Sequence, residues 1–426
     1  MALRNSLINL VTPPVRRLTP TILGLILLTL FSCLLSFAKF DHCRDTNWKS
    51  PDSYVHACYS DIPILLIDRN LSAHQWAYSA GENAVEYPVL TGAVMWATTW
   101  ITPMDKDSLR NYFDVNIFFI SILFIICTLL VWRMRPQFAH LLALSPAVIA
   151  SLYINWDLWG IVTMLMAILF FDQKRYSLSA SMLGISIATK FFPVLLLLPI
   201  AIIFWRMGVF RNFLKYAFTV IGVWLAINLP VILTTPEGWW RFYSLNLKRQ
   251  SDWGSIWHAL SILGINTANL NYLSLIALLV VMSAIVLLIM EISYIPTLAE
   301  VSFVVLAASL CIGKVYSPQY VLWLAPLGII AMRNKRSLGA FWIWQAGEAI
   351  YHVAIWQHLA AIQGSNFGLP ATGYALATLI RILTTLIFVL ALLRTALRNT
   401  GPEEQVHSVS RRRLADFLFG TANSYP

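Results

Sequence analysis

The chain is 426 residues long, 58% hydrophobic and only 12% charged, where a soluble chain carries roughly 25% charged residues. Apolar runs recur from residue 21 to residue 393, which makes this a polytopic helical membrane protein whose core is a bilayer-embedded bundle. DNA binding, cytosolic metabolism and secretion as a free domain are disfavoured, and the net charge of +10 is first a question of where the basic residues fall.

Residues 1–20 carry Arg4, Arg16 and Arg17 and read as a cytoplasmic N-terminus. The run 21–38 lacks a small-residue cleavage site and reads as a retained first span. Further spans are expected at 114–132, 137–155, 158–171, 178–189, 193–205, 216–234, 274–292, 301–313, 318–332, 338–356 and 371–393. With these twelve, the clusters Arg133/Arg135, Lys174/Arg175, Arg206/Arg211/Lys215, Arg333/Lys335/Arg336 and Arg411–Arg413 all face the cytoplasm, as the positive-inside rule requires. With Asp114 and Glu291, at the ends of their spans, counted with the adjoining loops, inside segments then hold 18 Lys/Arg against 6 Asp/Glu, and outside segments 11 against 13. The basic excess is a topology signal, and no nucleic-acid partner is implied.

One apolar run, 88–102, is left over. Counting it as a span would invert every later loop, so it is predicted as a juxtamembrane or re-entrant helix within a long first external loop, 39–113. A second large external loop is expected at 235–273, and residues 394–426 read as a basic, disordered cytoplasmic tail. Two pairs of spans, 178–189 with 193–205 and 301–313 with 318–332, are too short for a roughly 30 Å hydrocarbon core. Each pair meets at an external lysine, Lys190 or Lys314, followed by Pro193 or Pro318. Short helices meeting below the surface suggest a recessed, wet cavity; snorkelling lysines are the plainer explanation.

Cys43 and Cys58 are the only two of five cysteines outside the spans, and an oxidising exterior allows them to pair; two reduced thiols are the alternative. Cys33, Cys127 and Cys311 read as core fillers, and no Cys/His spacing of a zinc site is present. Asp61 opens an apolar stretch too short to span, where it is a helix N-cap, a catalytic base, or both. Trp156 and Trp253 adjoin Asp157 and Asp252, and such pairs of ring and carboxylate suit a sugar; most of the 17 tryptophans read as interfacial belt.

Several pieces, in this order, resemble a known family. They are Asp61, Tyr87-Pro88, Ala188-Thr189-Lys190 before Pro193, Asn228-Leu229-Pro230 before Pro236-Glu237-Gly238-Trp239, Ser251-Asp252-Trp253-Gly254, and Lys314-Val315-Tyr316-Ser317-Pro318-Gln319-Tyr320 running on to Pro326. Over about 55–330 the chain resembles glycosyltransferase family 87 of the GT-C superfamily, whose actinobacterial members use polyprenyl-phosphate sugars. Where that family commonly has Tyr-Pro-Pro-Leu, this chain has Tyr87-Pro88-Val89-Leu90. The resemblance implies a GT-C-like bundle in the plasma (inner) membrane with its active site on the external face. The implied reaction moves a sugar, mannose first and arabinose next, from a polyprenyl-monophosphate donor to a cell-envelope glycan or glycolipid. It also carries the general base onto Asp61, with Asp68 as fallback.

An acceptor hydroxyl is a poor nucleophile, so a carboxylate must take its proton. The departing lipid phosphate gains charge, and Lys190, Lys314 and Arg249 are the external cations expected to stabilise it. Tyr87, Trp156, Asp157, Asp252, Trp253 and Gln319 are the expected sugar and acceptor contacts. A monophosphate donor does not call for a divalent ion, so no metal or other cofactor is expected, and displacement from one face would invert the anomeric carbon. Two other classes stay open: a flippase or transporter of lipid-linked sugars, and a noncatalytic scaffold of the same fold. Glu348 and Arg381, both within spans, would serve a transporter, pairing with each other or with His352.

Overall fold

The computed structural model describes residues 20–398 apart from 80 and 268. Residues 1–19 and most of the basic tail lie outside the described part. In chain order the first helices are α1 (Pro20–Thr46), α2 (Asp52–Val55), α3 (Asp61–Asp68), α4 (Val89–Thr99), α5 (Ser108–Met134), α6 (His140–Leu144), α7 (Pro146–Ser151), α8 (Asp157–Asp172) and α9 (Tyr176–Thr189). There follow α10 (Leu197–Arg206), α11 (Arg211–Thr234), α12 (Pro236–Lys248), α13 (Ile256–Ile262), α14 (Leu270–Met290), α15 (Leu298–Ile312), α16 (Val321–Ala331), α17 (Leu338–Ile362) and α18 (Ala371–Arg398). No strand occurs among the described residues.

Among the described residues, five helices are long and apolar enough to cross a membrane: α1, α5, α11, α14 and α18. Their outer faces leave large apolar side chains uncovered, among them Leu34, Phe118, Phe218, Leu233 and Leu279. A bilayer supplies the missing solvent for such faces. The other expected spans are shorter helices or, for α17, a continuous 25-residue helix whose apolar run contains Glu348, His352 and His358.

Two expectations about elements need correcting. The run 137–155 is not one span: it breaks into α6 and α7 at Ser145-Pro146, where Ser145 is extended (φ −71°, ψ 113°). A proline lacks the N–H to continue the ladder and pushes the residue before it out of the helical region. The first helix also runs past residue 38 through Thr46, so the charged stretch Lys39–Asp45 extends the helix beyond the apolar run. The leftover run 88–102 contains α4, eleven residues and about 16 Å long. It is held by protein groups: Thr91 Oγ1 donates to the Thr189 carbonyl (2.6 Å) and Tyr112 Oη to the Met95 carbonyl (2.8 Å).

Polar groups gather at two places joined by α8, which runs from Asp157 to Asp172. Around Asp172, arginines close helix C-termini. Arg206 donates to the Ile289 and Ile292 carbonyls (2.7 and 2.6 Å), Arg135 to that of Ile330 (2.9 Å), and Arg333 pairs with Glu300. Cations at carbonyl-rich helix ends are favourable. Around Asp157 lies the second group.

Between α17 and α18 sits a buried ion pair, Arg381–Glu348, 2.8 Å apart with both side chains essentially inaccessible. Arg381 also donates to the carbonyls of Tyr316 and Ser317, while Tyr316 Oη (2.8 Å) and Trp344 Nε1 (3.1 Å) donate to Glu348. His352 is not part of this pair; it meets Ser151 Oγ (3.2 Å) and accepts from Trp356 Nε1 (3.1 Å). Arg381 thus holds the 314–318 junction in place.

Candidate active site

Asp61 is the first residue of α3 and not its cap. Ser60 is the cap, its hydroxyl accepting from the Ile62 N–H (3.2 Å). Ser60 Oγ donates to the Tyr153 carbonyl (2.8 Å) and Asp61 N–H to that of Ile154 (2.8 Å), tying the start of α3 to the turn before α8. The helix end is satisfied without the Asp61 carboxylate, which is left for other partners.

Those partners come from the far side of the first loop. Tyr87 Oη donates to Asp61 Oδ2 (3.1 Å), and Tyr59 also hydrogen-bonds the carboxylate. Arg69 grips Glu86 with two bonds (2.5 and 2.7 Å), which fixes the backbone beside Tyr87. Burial is the main influence on Asp61 and pushes its carboxyl up to about 6; the two tyrosine hydrogen bonds and the charge of Lys190 pull the other way. Such a carboxylate is mostly ionised at neutral pH yet more basic than an ordinary one, which suits it to taking a proton.

Lys190 follows the last residue of α9 and donates to Asp157 Oδ1 (2.8 Å), while Trp323 Nε1 donates to Asp157 Oδ2 (2.9 Å). Its ammonium also stands over the rings of Tyr87 (4.9 Å) and Tyr320 (5.8 Å). Trp323 reaches Asp157 because Gly160 has no side chain; a Cβ there would lie 2.8 Å from the indole. Trp156 is buried, donates to Asn116 Oδ1 (2.7 Å) and packs edge-on to Tyr87 (6.1 Å). Asp61, Tyr87, Trp156, Asp157 and Lys190 therefore form one cluster.

Arg249 and Asp252 lie next to it, 3.6 Å from each other, and act on Tyr320 together with Lys190 and Asp157. Lys314 turns away, donating to the Arg249 carbonyl and to Asn271 Oδ1, each at 2.7 Å. It supports the Arg249 segment, and the Asp252 N–H returns a bond to the Lys314 carbonyl (2.8 Å). Gln319 is buried in the turn Pro318–Tyr320. Trp253 packs with His258, His358 and Tyr374 instead (4.9, 5.8 and 5.8 Å). That group depends on Gly254, at φ +77°, where a Cβ would lie 2.0 Å from the Tyr316 carbonyl oxygen. Asp68 is exposed at the other end of α3. Cys43 and Cys58 are joined, Cα–Cα 5.9 Å, and Trp48 Nε1 donates to the Cys58 carbonyl (3.1 Å).

Sequence reasoning missed Tyr59, Tyr320, Trp323 and the Arg69–Glu86 pair. Tyr59 lies two residues from Asp61 and Tyr320 within the string at 314–326, so proximity to motifs was a signal for both. Trp323 lies in the same string, whereas nothing in the spacing pointed to Arg69. No family model matches this chain, and no curated protein matches it either.

Proposed function

We propose that the chain is an inverting membrane glycosyltransferase that takes its sugar from a polyprenyl-monophosphate donor, as its resemblance to glycosyltransferase family 87 implies. The observation that carries the reading is that Tyr87 lies between the two groups: it donates to the Asp61 carboxylate, which burial raises to about 6, and its ring faces the Lys190 ammonium, which is itself paired with Asp157. In this reading Asp61 takes the proton of the acceptor hydroxyl as the hydroxyl oxygen attacks the anomeric carbon. Lys190 has further N–H donors beyond the one given to Asp157, and these face the phosphate oxygens as the carbon–oxygen bond breaks. Arg249 extends the positive rim, and Tyr87 and Trp156 supply the ring faces. The acceptor is an envelope glycan or glycolipid, and the site faces the cell exterior in a GT-C-like bundle. A transporter of lipid-linked sugars gains no support from Glu348 and Arg381, which are fully engaged with each other and with the 316–317 backbone.

The test is transfer of labelled sugar from polyprenyl phosphate by the purified chain in liposomes, with the anomeric configuration of the product read by NMR. Product with inverted configuration supports the reading. Absence of transfer from every polyprenyl-phosphate sugar, in protein shown to be folded, rejects it.

A further inference from the structure

Away from the Asp61 cluster, the charged end of α1 meets α2. His42 Nε2 lies 2.7 Å from Asp52 Oδ2, and His56 Nδ1 lies 3.1 Å from Asp52 Oδ1. The two imidazoles stack with centroids 3.6 Å apart. One ligand atom from each of the three residues falls within 4.8 Å of the others. All three side chains are partly open, between 37% and 45% exposed, so an ion can enter and keep a water.

The neighbouring carboxylates are already taken by arginines. Arg44 pairs with Asp41 (3.0 Å) and Asp114 (2.7 Å), and Arg110 with Asp45 (3.6 Å). Asp52 alone faces imidazoles, which are neutral ligands once deprotonated. The spacing of the three is set from outside: His42 adjoins Cys43 and His56 stands two residues before Cys58, and these cysteines are joined. We propose that His42, Asp52 and His56 form a binding site for a divalent transition metal of the zinc class. Two imidazoles and a carboxylate select zinc, cobalt, nickel or copper over calcium or magnesium, whose ligands are oxygens. Three protein ligands leave a fourth position for solvent. The ion sits between the two imidazole nitrogens and the Asp52 carboxylate, and it clasps α1 to α2. This site is separate from sugar transfer and does not depend on it.

The experiment uses the full chain in detergent, stripped with chelator and titrated with Co²⁺ alone. The expected result is one Co²⁺ per chain, with visible d–d absorption of a four- or five-coordinate ion, displaced by Zn²⁺. Binding should be lost in H42Q, H56Q and D52N, with gel-filtration elution unchanged because the three side chains sit at the surface. A second measurement on the unaltered chain guards against misfolded variants: Zn²⁺ should protect His42 and His56 from diethyl pyrocarbonate and leave His74 reactive. No Co²⁺ binding by the wild-type chain, binding that persists in H42Q/H56Q, or equal modification with and without Zn²⁺ overturns the assignment.

Discussion

Asp61 is set apart from an ordinary surface carboxylate by what surrounds it. Burial raises it to about 6, and the Tyr59 and Tyr87 hydroxyls hold it back from rising further. A base acts only when ionised, so transfer should fall on the acid side with an apparent pKa near 6. Tyr87→Phe removes a hydrogen bond that favours the carboxylate. Its acid limb should therefore move to higher pH, which a pH–kcat/KM profile measures; an unmoved limb would separate Tyr87 from the base. Lys190 differs in kind, since it is already paired with the inaccessible Asp157. Lys190→Ala should weaken use of the lipid-phosphate donor by about 10²–10³-fold, the scale for losing one preorganised donor to developing charge. Lys190→Arg should restore partly at best, because the guanidinium is larger and planar where Lys190 presents a compact point charge. Lys314→Ala should have the smaller effect of the two, as its ammonium is spent on Arg249 and Asn271. Donor saturation curves for the three variants check this order.

Among the elements, the long helices were readable from uninterrupted apolarity: 114–132 lies within α5, 216–234 within α11 and 371–393 within α18. The break at Ser145-Pro146 was hidden because residues 137–155 are apolar on both sides of it, and composition averages over a single proline. The Asp61 cluster was legible only in part. Asp61, Asp157 and Lys190 stand out as charges in apolar surroundings, whereas the bond from Tyr87 to Asp61 joins residues 26 positions apart and depends on the Arg69–Glu86 pair. Trp253 was placed with the sugar contacts because an aspartate precedes it, yet tertiary packing turns its ring to Tyr374. The junction at 314–318 is held by the α17–α18 pair, so a mutation there tests an element and not the chemistry. Arg381→Met or Glu348→Gln strands a buried partner and should cost about 3–5 kcal/mol. The double variant should lose less than the two singles summed. Thermal unfolding in detergent measures all three, and unchanged midpoints for the singles would deny the pair its structural part.

For the molecule as a whole, orientation and activity are linked, because the proposed site works only if the Asp61 end faces the donor. A reporter active outside the cell should give signal when fused after Thr102 and none after Arg135, since α5, a helix long and apolar enough to cross a membrane, lies between them. Activity of the Arg135 fusion would reverse the chain from that helix onward. The central claim, that Asp61 is the base of a sugar transfer, is tested most directly by Asp61→Asn in the same liposome assay. Asn is nearly isosteric, and the cap of α3 belongs to Ser60, so the fold has no reason to change. Loss of a general base typically lowers the rate by about 10²–10⁴-fold. The account predicts a fall of that size in kcat, with unchanged thermal unfolding and with Asp68→Asn still active. Wild-type transfer by the Asp61→Asn variant would contradict it.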